Sequence, residues 1–146
     1  MISLQIESNG LDLSNIDQNW ISYISKHILT DHNQIESNVS IIFSTDNHLN
    51  ELKKQFFHQD VFTDTISFNL EEPNDPIDGE IYISLDRISE NAKIYNEKFD
   101  SEYKRVIIHS ILHLIGFDDQ TDKESSKMME LENYYLSYDL EKKSLS

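Results

Sequence analysis

Apolar and polar residues alternate in four short stretches of the chain, and this alternation is the pattern of β-strands with one buried face. Alternate side chains of a strand point to opposite faces, so every second residue can face a hydrophobic core. The apolar positions of the four predicted strands are Ile2, Leu4 and Ile6; Val39, Ile41 and Phe43; Ile66, Phe68 and Leu70; and Ile81, Ile83 and Leu85.

Helical periodicity fills the stretches between and after these strands. A first helix is predicted to begin near Ser14 and Asp17, which are residue types that cap helices. Further helices are predicted over residues 46–57, 85–95 and roughly 101–115, and from Thr121, where Thr121 and Glu124 form a capping box. The pattern predicts a single α+β domain over residues 1–140, with about five helices packed on a four-stranded mixed sheet, and a polar tail at residues 141–146.

The helix predicted over roughly residues 101–115 carries two histidines, His109 and His113. Residues four apart lie about one turn apart on the same face of a helix, so both imidazoles can reach one metal ion. The helix is otherwise apolar around most of its circumference, which is typical of a buried element. Because an unpaired buried polar group costs about 1–3 kcal/mol, a shared metal ion is favoured over two histidines that coincide by chance.

Gly116, Asp118 and Asp119 follow the histidines directly. Glycine can end the helix in a left-handed conformation, and only a short connector then precedes the helix predicted from Thr121. At least one of the two acids is therefore expected to lie near the histidines, although acids after a helix are also common turn residues. Three ligands with one position open to water are the arrangement of a catalytic zinc site. The sequence therefore predicts a hydrolase that uses one Zn²⁺ or another divalent ion at the end of this helix.

The stretch from residue 109 to 119 resembles a known family signature. It is His109-Ser-Ile-Leu-His113-Leu-Ile-Gly116-Phe-Asp118-Asp119. The YbeY family of bacterial rRNA maturation endoribonucleases has the similar pattern H-G-x-L-H-L-x-G-[YF]-D-H, and its T-D-V-L-S-F segment is similar to residues 63–68. The resemblance covers residues 39–132. It implies a single-strand-specific, metal-dependent endoribonuclease that acts in 16S rRNA 3′-end maturation and ribosome quality control, with precursor rRNA and the ribosome or its proteins as partners.

The resemblance also implies which residues form the site. The third metal ligand of the family, a histidine, falls at Asp119, so the implied ligands are His109, His113 and Asp119. Zinc accepts an aspartate oxygen at about 2.0–2.2 Å, so this exchange preserves a possible site. Thr63, Asp64 and Ser67 are implied to line the substrate groove, with strand capping and pairing as the alternative roles.

Asp118 has no ligand role in this assignment. It is expected to orient an imidazole N–H or to accept a proton.

Two departures from the family pattern affect the expected activity. Ser110 stands where the family has a glycine, and Phe57 stands where many members carry an arginine linked to RNA cleavage. A phenyl ring cannot hold a phosphate. Lys53, Lys54 or Arg105 must therefore bind the RNA instead, or the nuclease activity is weakened.

The formal net charge of −15 opposes the approach of a polyphosphate, because nonspecific affinity for nucleic acid comes largely from lysine and arginine. A bound metal ion can reverse the charge locally, and the basic residues could either cluster or scatter over the surface. The chain has no cysteine, no signal-peptide pattern and no apolar run of membrane-spanning length. These features predict a cytoplasmic protein without disulfides or thiolate zinc sites.

The sequence also allows two other functions to be considered. A zinc protease of the His-Glu-x-x-His type needs a glutamate next to the first histidine, and this chain has Ser110 there. A non-catalytic maturation adaptor that binds the ribosome and keeps a metal site fits the acidity and Phe57. For RNA cleavage itself, attack by a metal hydroxide and attack by a ribose 2′-OH are both compatible with the sequence.

Overall fold

The computed structural model describes residues 1–72 and 74–145, with side chains up to residue 137. This part of the chain forms four strands and five helices, which confirms the predicted α+β architecture. The strands are β1 (Ser3–Ser8), β2 (Asn38–Ser44), β3 (Thr65–Asn69) and β4 (Asp78–Ser84). The helices are α1 (Gln18–Asp31), α2 (Asp46–Phe57), α3 (Leu85–Ile94), α4 (Phe99–Ile115) and α5 (Asp122–Leu145).

The sheet has the strand order β1-β2-β4-β3. β1, β2 and β4 are parallel, whereas β3 pairs antiparallel with β4, so the sheet is mixed as predicted. Ile2, Leu70 and Leu85 were predicted as strand positions, but all three lie outside the strands. β4 ends at Ser84 because its hydroxyl caps α3 by accepting from the backbone N–H of Arg87 at 3.1 Å.

The core lies between one face of the sheet and the helices α1 and α4. Ile41 and Phe43 of β2 and Ile81 and Ile83 of β4 are fully buried there. Gly79 lets α4 approach β4 closely, because a Cβ atom at this position would lie 2.6 Å from a methyl carbon of Leu114. α4 also contacts the edge strand β3, where Ser110 forms hydrogen bonds with Thr65 and Ser67.

The ends of the helices follow the predicted signals. The Asp17 carboxylate accepts from the backbone N–H of Trp20 at 3.0 Å and caps α1. Thr121 and Glu124 exchange side-chain to backbone hydrogen bonds of 3.1 Å, so the predicted capping box is confirmed.

A few residues are described only in part or not at all. Pro73 lies outside the described residues. The side chains of the predicted tail at 141–146 also lie outside them, so the domain boundary at residue 140 stays a prediction. No helix in the described part of the chain combines the length and the apolar character needed to span a bilayer.

Candidate functional site

The two histidines predicted as metal ligands lie at the last turns of α4. Most of this helix is buried, as its apolar sequence predicts, and Ile107, Ile108 and Ile111 are among its buried residues. The rings of His109 and His113 are nearly parallel, with centroids 6.2 Å apart and an angle of 12° between their planes. α4 therefore presents both imidazoles on one face, as the spacing of four residues predicts.

Each histidine has its Nδ1 atom occupied by an oxygen acceptor. Nδ1 of His113 lies 3.0 Å from the backbone carbonyl of Phe117, and Nδ1 of His109 lies 2.8 Å from a carboxylate oxygen of Glu132. A carbonyl oxygen can only accept, so Nδ1 of His113 carries a proton and the lone pair of the neutral ring is on Nε2. This is the tautomer that a metal-binding histidine needs, with its other nitrogen held by an acceptor.

The turn after α4 brings Asp119 towards the histidines. Gly116 ends the helix with a φ angle of 123°, and Oδ2 of Asp119 lies 3.9 Å from Nε2 of His109. Two ligand atoms bonded to one zinc ion at about 2.0–2.2 Å each are at most roughly 4 Å apart, so this pair fits a shared ion. Within the described residues, no group of three or more such side chains is already gathered tightly enough to hold a metal.

Asp118 lies beside this turn but bonds to the backbone. Its Oδ1 accepts from the N–H of Asp119 at 2.8 Å. This bond fixes the turn that delivers Asp119, whereas Glu132 orients the His109 imidazole.

Glu132 of α5 is the residue of this site that the sequence analysis missed. It is buried, and it binds His109 with one carboxylate oxygen and the guanidinium of Arg105 with the other, at 2.9 Å. Burial alone would raise the pKa of Glu132, but the hydrogen bonds and charges of His109 and Arg105 lower it below its usual value. The hydrogen bond to Glu132 raises the pKa of His109 in turn, against the effect of burial. The available signal was an acid four residues after Met128, on an otherwise apolar stripe of α5.

A cleft of about 210 Å³ opens beside His109 and Glu132. Asp64 and Arg105 line it, together with Tyr95 and Glu102. Burial raises the pKa of the Asp64 carboxyl above its usual value, and the charges of His109 and Arg87 offset this only in part. Three acids, Asp64, Glu102 and Glu132, and one arginine therefore line the cleft together with His109.

The raised pKa of Asp64 predicts a stability effect. Folding favours the protonated carboxyl, so its ionisation destabilises the folded state at neutral pH, and this penalty disappears as the pH falls below the ordinary value of 3.8. We expect Asp64→Asn to increase the free energy of unfolding of the metal-free protein at neutral pH by about 0.5–2 kcal/mol. Urea denaturation over a pH series measures this, and the gain should shrink towards acidic pH. A loss of stability at neutral pH would contradict a raised pKa for the Asp64 carboxyl.

The other predicted groove residues are engaged within the protein. The Thr63 hydroxyl donates to the backbone carbonyl of Thr65 at 3.3 Å, and the Ser67 hydroxyl donates to the carbonyl of Ser110 at 3.4 Å. The Ser110 hydroxyl is buried, 2.7 Å from that of Thr65. These contacts tie α4 to β3, and they leave Asp64 as the predicted groove residue that lines the cleft.

Lys53 and Lys54 lie on α2 and do not line this cleft. The ammonium group of Lys53 is 4.6 Å from the ring centre of Phe57, and that of Lys54 is 3.5 Å from Glu51. Phe57 stacks on Phe68 of β3, with ring centroids 5.8 Å apart. Because acids outnumber basic residues, several other cations are also paired: Arg87 with Asp46, Lys93 with Glu90, and Lys104 with Asp100.

Fold and site together define a small α+β protein in which α4 presents two histidines on one face, and His109 lines a cleft beside the mixed sheet. Comparison with known proteins places it more narrowly. The sequence profile of the family described as Endoribonuclease YbeY matches residues 3–138. The chain belongs to this family.

Individual relatives agree with this assignment. The protein named Endoribonuclease YbeY from Christiangramia forsetii is 40% identical over 78% of each chain. The one from Flavobacterium psychrophilum is 38% identical over 80% of this chain and 82% of its own. The solution structure of TM1509 from Thermotoga maritima is similar, with a TM-score of 0.67, 31% identity, and coverage of 97% of this chain and 91% of that one.

Proposed function

We propose that this protein is a metal-dependent endoribonuclease that cleaves single-stranded RNA in the maturation of the 16S rRNA 3′ end and in ribosome quality control. Family membership supports the reaction class. The observation that carries the proposal is the arrangement at the end of α4, where His109 and His113 have their Nδ1 atoms occupied by acceptors and Asp119 lies within reach. The substrate is precursor rRNA on or near the ribosome, in the cytoplasm.

His109, His113 and Asp119 would hold one divalent ion, which we take to be Zn²⁺. Two imidazoles and a carboxylate match the donor types that zinc accepts. When bound, such an ion lowers the pKa of a water molecule and polarises a phosphoryl oxygen. Glu132 keeps the His109 ring in its binding orientation, and Asp118 holds the turn that carries Asp119.

Arg105 and Asp64 act on the RNA from the wall of the cleft. Arg105 is anchored by Glu132 and by the side-chain oxygen of Asn133, both at 2.9 Å, so its guanidinium is held rigidly beside His109. A fixed guanidinium suits the recognition of a phosphate, and it supplies a cation that Phe57 cannot. Asp64 is placed to accept a proton during cleavage because it lines the cleft beside His109, and burial raises the pKa of its carboxyl above the ordinary value.

The ligand role of Asp119 can be tested directly. We expect Asp119→Asn to lower zinc affinity about tenfold or more, because the substitution removes an anionic donor from a three-ligand site. Competition with a coloured chelator measures the dissociation constant. Asp122→Asn, on the first turn of α5, is the matched control and should bind zinc like the unaltered protein. Equal affinity for all three proteins would remove Asp119 from the ligand set.

Lys53 and Lys54 are proposed to contact RNA outside the cleft. Each phosphate contact of a single strand contributes a slope of roughly −0.7 to the dependence of log affinity on log salt concentration. The double variant Lys53→Ala/Lys54→Ala removes two such contacts and should therefore flatten this slope by about 1.4 and weaken binding. Titration of labelled single-stranded RNA at several salt concentrations measures the slope. An unchanged slope would show that these lysines do not contact RNA and keep their contacts with Phe57 and Glu51.

Two alternatives have specific consequences. A zinc protease is disfavoured because Ser110, the residue next to His109, is turned into the contact with β3 and is not a glutamate. A non-catalytic adaptor that binds the ribosome would fit the acidic composition.

One assay separates these functions. The metal-loaded protein is incubated with single-stranded RNA, with casein and with ribosomal particles. RNA fragments support the proposal; peptide fragments, or particle binding without any cleavage, contradict it.

A further inference from the structure

A second cavity, of about 510 Å³, adjoins the cleft beside His109. The two share Tyr95, Glu102 and Arg105 in their walls. The volume of the second cavity falls in the range of small-ligand sites, roughly 300–1,000 Å³. A chain of nucleotides whose phosphate lies beside Arg105 would therefore place a neighbouring base in this second cavity.

Tyr95 offers an aromatic surface at this junction. It follows α3 directly, and 65% of its surface is exposed although it is large and apolar. An exposed aromatic ring beside a cleft is the kind of platform on which unpaired nucleobases stack.

The charges in the second cavity disfavour a phosphate as its occupant. Glu97, Asp100 and Glu102 line it. Lys104 of this cavity is paired with Asp100 at 3.2 Å, and none of the three proposed metal ligands lines the cavity, whereas His109 lines the adjoining cleft. The excess carboxylates would repel a phosphate but can accept hydrogen bonds from the N–H groups of an uncharged base.

Glu102 stands where the two cavities meet. Burial and the nearby charge of Asp64 raise the pKa of Glu102 above its usual value, so a hydrogen-bond donor that reaches this carboxylate would relieve an unfavourable environment. Guanine presents two adjacent donors, N1–H and the 2-amino group, which match the two oxygens of one carboxylate. Uracil has a single such donor between two carbonyl oxygens, and the carboxylate would repel those oxygens.

We infer that this cavity is a base-binding subsite that takes an unpaired guanine of the RNA substrate, stacked on Tyr95 and hydrogen-bonded by Glu102. The inference rests on the proposed ribonuclease function and adds to it a preference for the base next to the cleaved phosphate. A basic peptide is the competing occupant, because lysine and arginine side chains would also satisfy the carboxylates.

Binding of short RNA probes tests the subsite, and a gel of each sample checks that the probe stays intact. The probes are the 2′-O-methyl oligonucleotides U-U-G-U-U and U-U-U-U-U, and anisotropy of a terminal dye measures their affinity for the metal-loaded protein. We expect the guanine probe to bind about tenfold more tightly than the uridine probe. Tyr95→Ala should weaken binding of the guanine probe about tenfold, while Tyr95→Phe keeps it. Glu102→Gln should remove the preference for guanine.

Ile94→Ala is the matched control, because Ile94 is an equally exposed neighbour that does not line the cavity. Cleavage of unmodified RNA is measured in parallel. If the unaltered protein cleaves RNA but Tyr95→Ala and Ile94→Ala bind the guanine probe equally, or if an arginine-rich peptide binds while the probes do not, the subsite is refuted and the ribonuclease function stands. If the unaltered protein neither binds nor cleaves RNA, both proposals are refuted together.

Discussion

Replacing His113 by alanine should abolish both zinc binding and RNA cleavage. The variant loses one of the two imidazoles that α4 presents on a single face, and an exposed side chain can be removed there without a cavity in the core. A metal ion contributes several kcal/mol to stabilising the transition state of phosphoryl chemistry, so we expect the rate of cleavage to fall about a thousandfold or more. Metal analysis of tag-free protein and a gel assay with single-stranded RNA measure the two effects.

His58→Asn is the control for this variant. His58 is an exposed histidine that ends α2 with a φ angle of 55°, and asparagine tolerates this left-handed conformation. It should keep the zinc content and the cleavage rate of the unaltered protein. If His113→Ala retains stoichiometric zinc and full activity, the histidine pair is not the metal site.

Replacing Glu132 by alanine should have the second largest effect, and that effect should appear in metal affinity as well as in stability. The variant leaves the Nδ1–H of His109 and the Arg105 guanidinium without their shared carboxylate. Loss of such an orienting partner lowers metal affinity about 10–100-fold. Loss of a buried hydrogen bond to a charged group costs about 1.5–3 kcal/mol of folding free energy. Chelator competition and urea denaturation measure the two quantities.

Replacing Glu132 should also change how the stability of the fold depends on pH. Folding raises the pKa of His109, so its stabilising contribution is complete below the ordinary value of 6.5 and is lost as the pH rises through the folded value. Folding lowers the pKa of Glu132, so its contribution is complete above 4.5 and is lost as the pH falls through the folded value. The His109–Glu132 pair should therefore contribute most to the free energy of unfolding of the metal-free protein between pH 4.5 and pH 6.5.

Glu132→Gln and Glu130→Ala complete the test. Glutamine keeps an acceptor for His109 and should retain more zinc affinity than alanine, while the stabilisation at mildly acidic pH disappears. Glu130 is exposed on the same helix, 3.9 Å from Lys127, and its removal should change neither quantity. Equal zinc affinity in Glu132→Ala and Glu130→Ala would show that Glu132 has no positioning role.

Local patterns were sufficient to predict most of the fold. The bounds of α2 and the capping box of α5 depend on residues within one or two turns, and both are confirmed. The errors at Leu70 and Leu85 have a local cause too, since apolar residues continue the alternation beyond the point where a turn or a helix cap ends the strand.

The site was predicted only as far as one helix and its following turn determine it. The register of His109 and His113 follows from helix geometry. The contact of His109 with Glu132 joins residues 23 positions apart and depends on how α5 crosses α4, which no periodicity encodes. Tyr95 and Arg105 both line the cleft for a similar reason, because β3, α3, α4 and α5 converge there.

Joint binding of one ion by His109, His113 and Asp119 can be observed in a crystal structure of the zinc-loaded protein with anomalous diffraction recorded at the zinc edge. We expect one strong anomalous peak about 2.0–2.2 Å from Nε2 of both histidines and from a carboxylate oxygen of Asp119. A peak at another place, or zinc-loaded crystals in which these three side chains diverge, would contradict it.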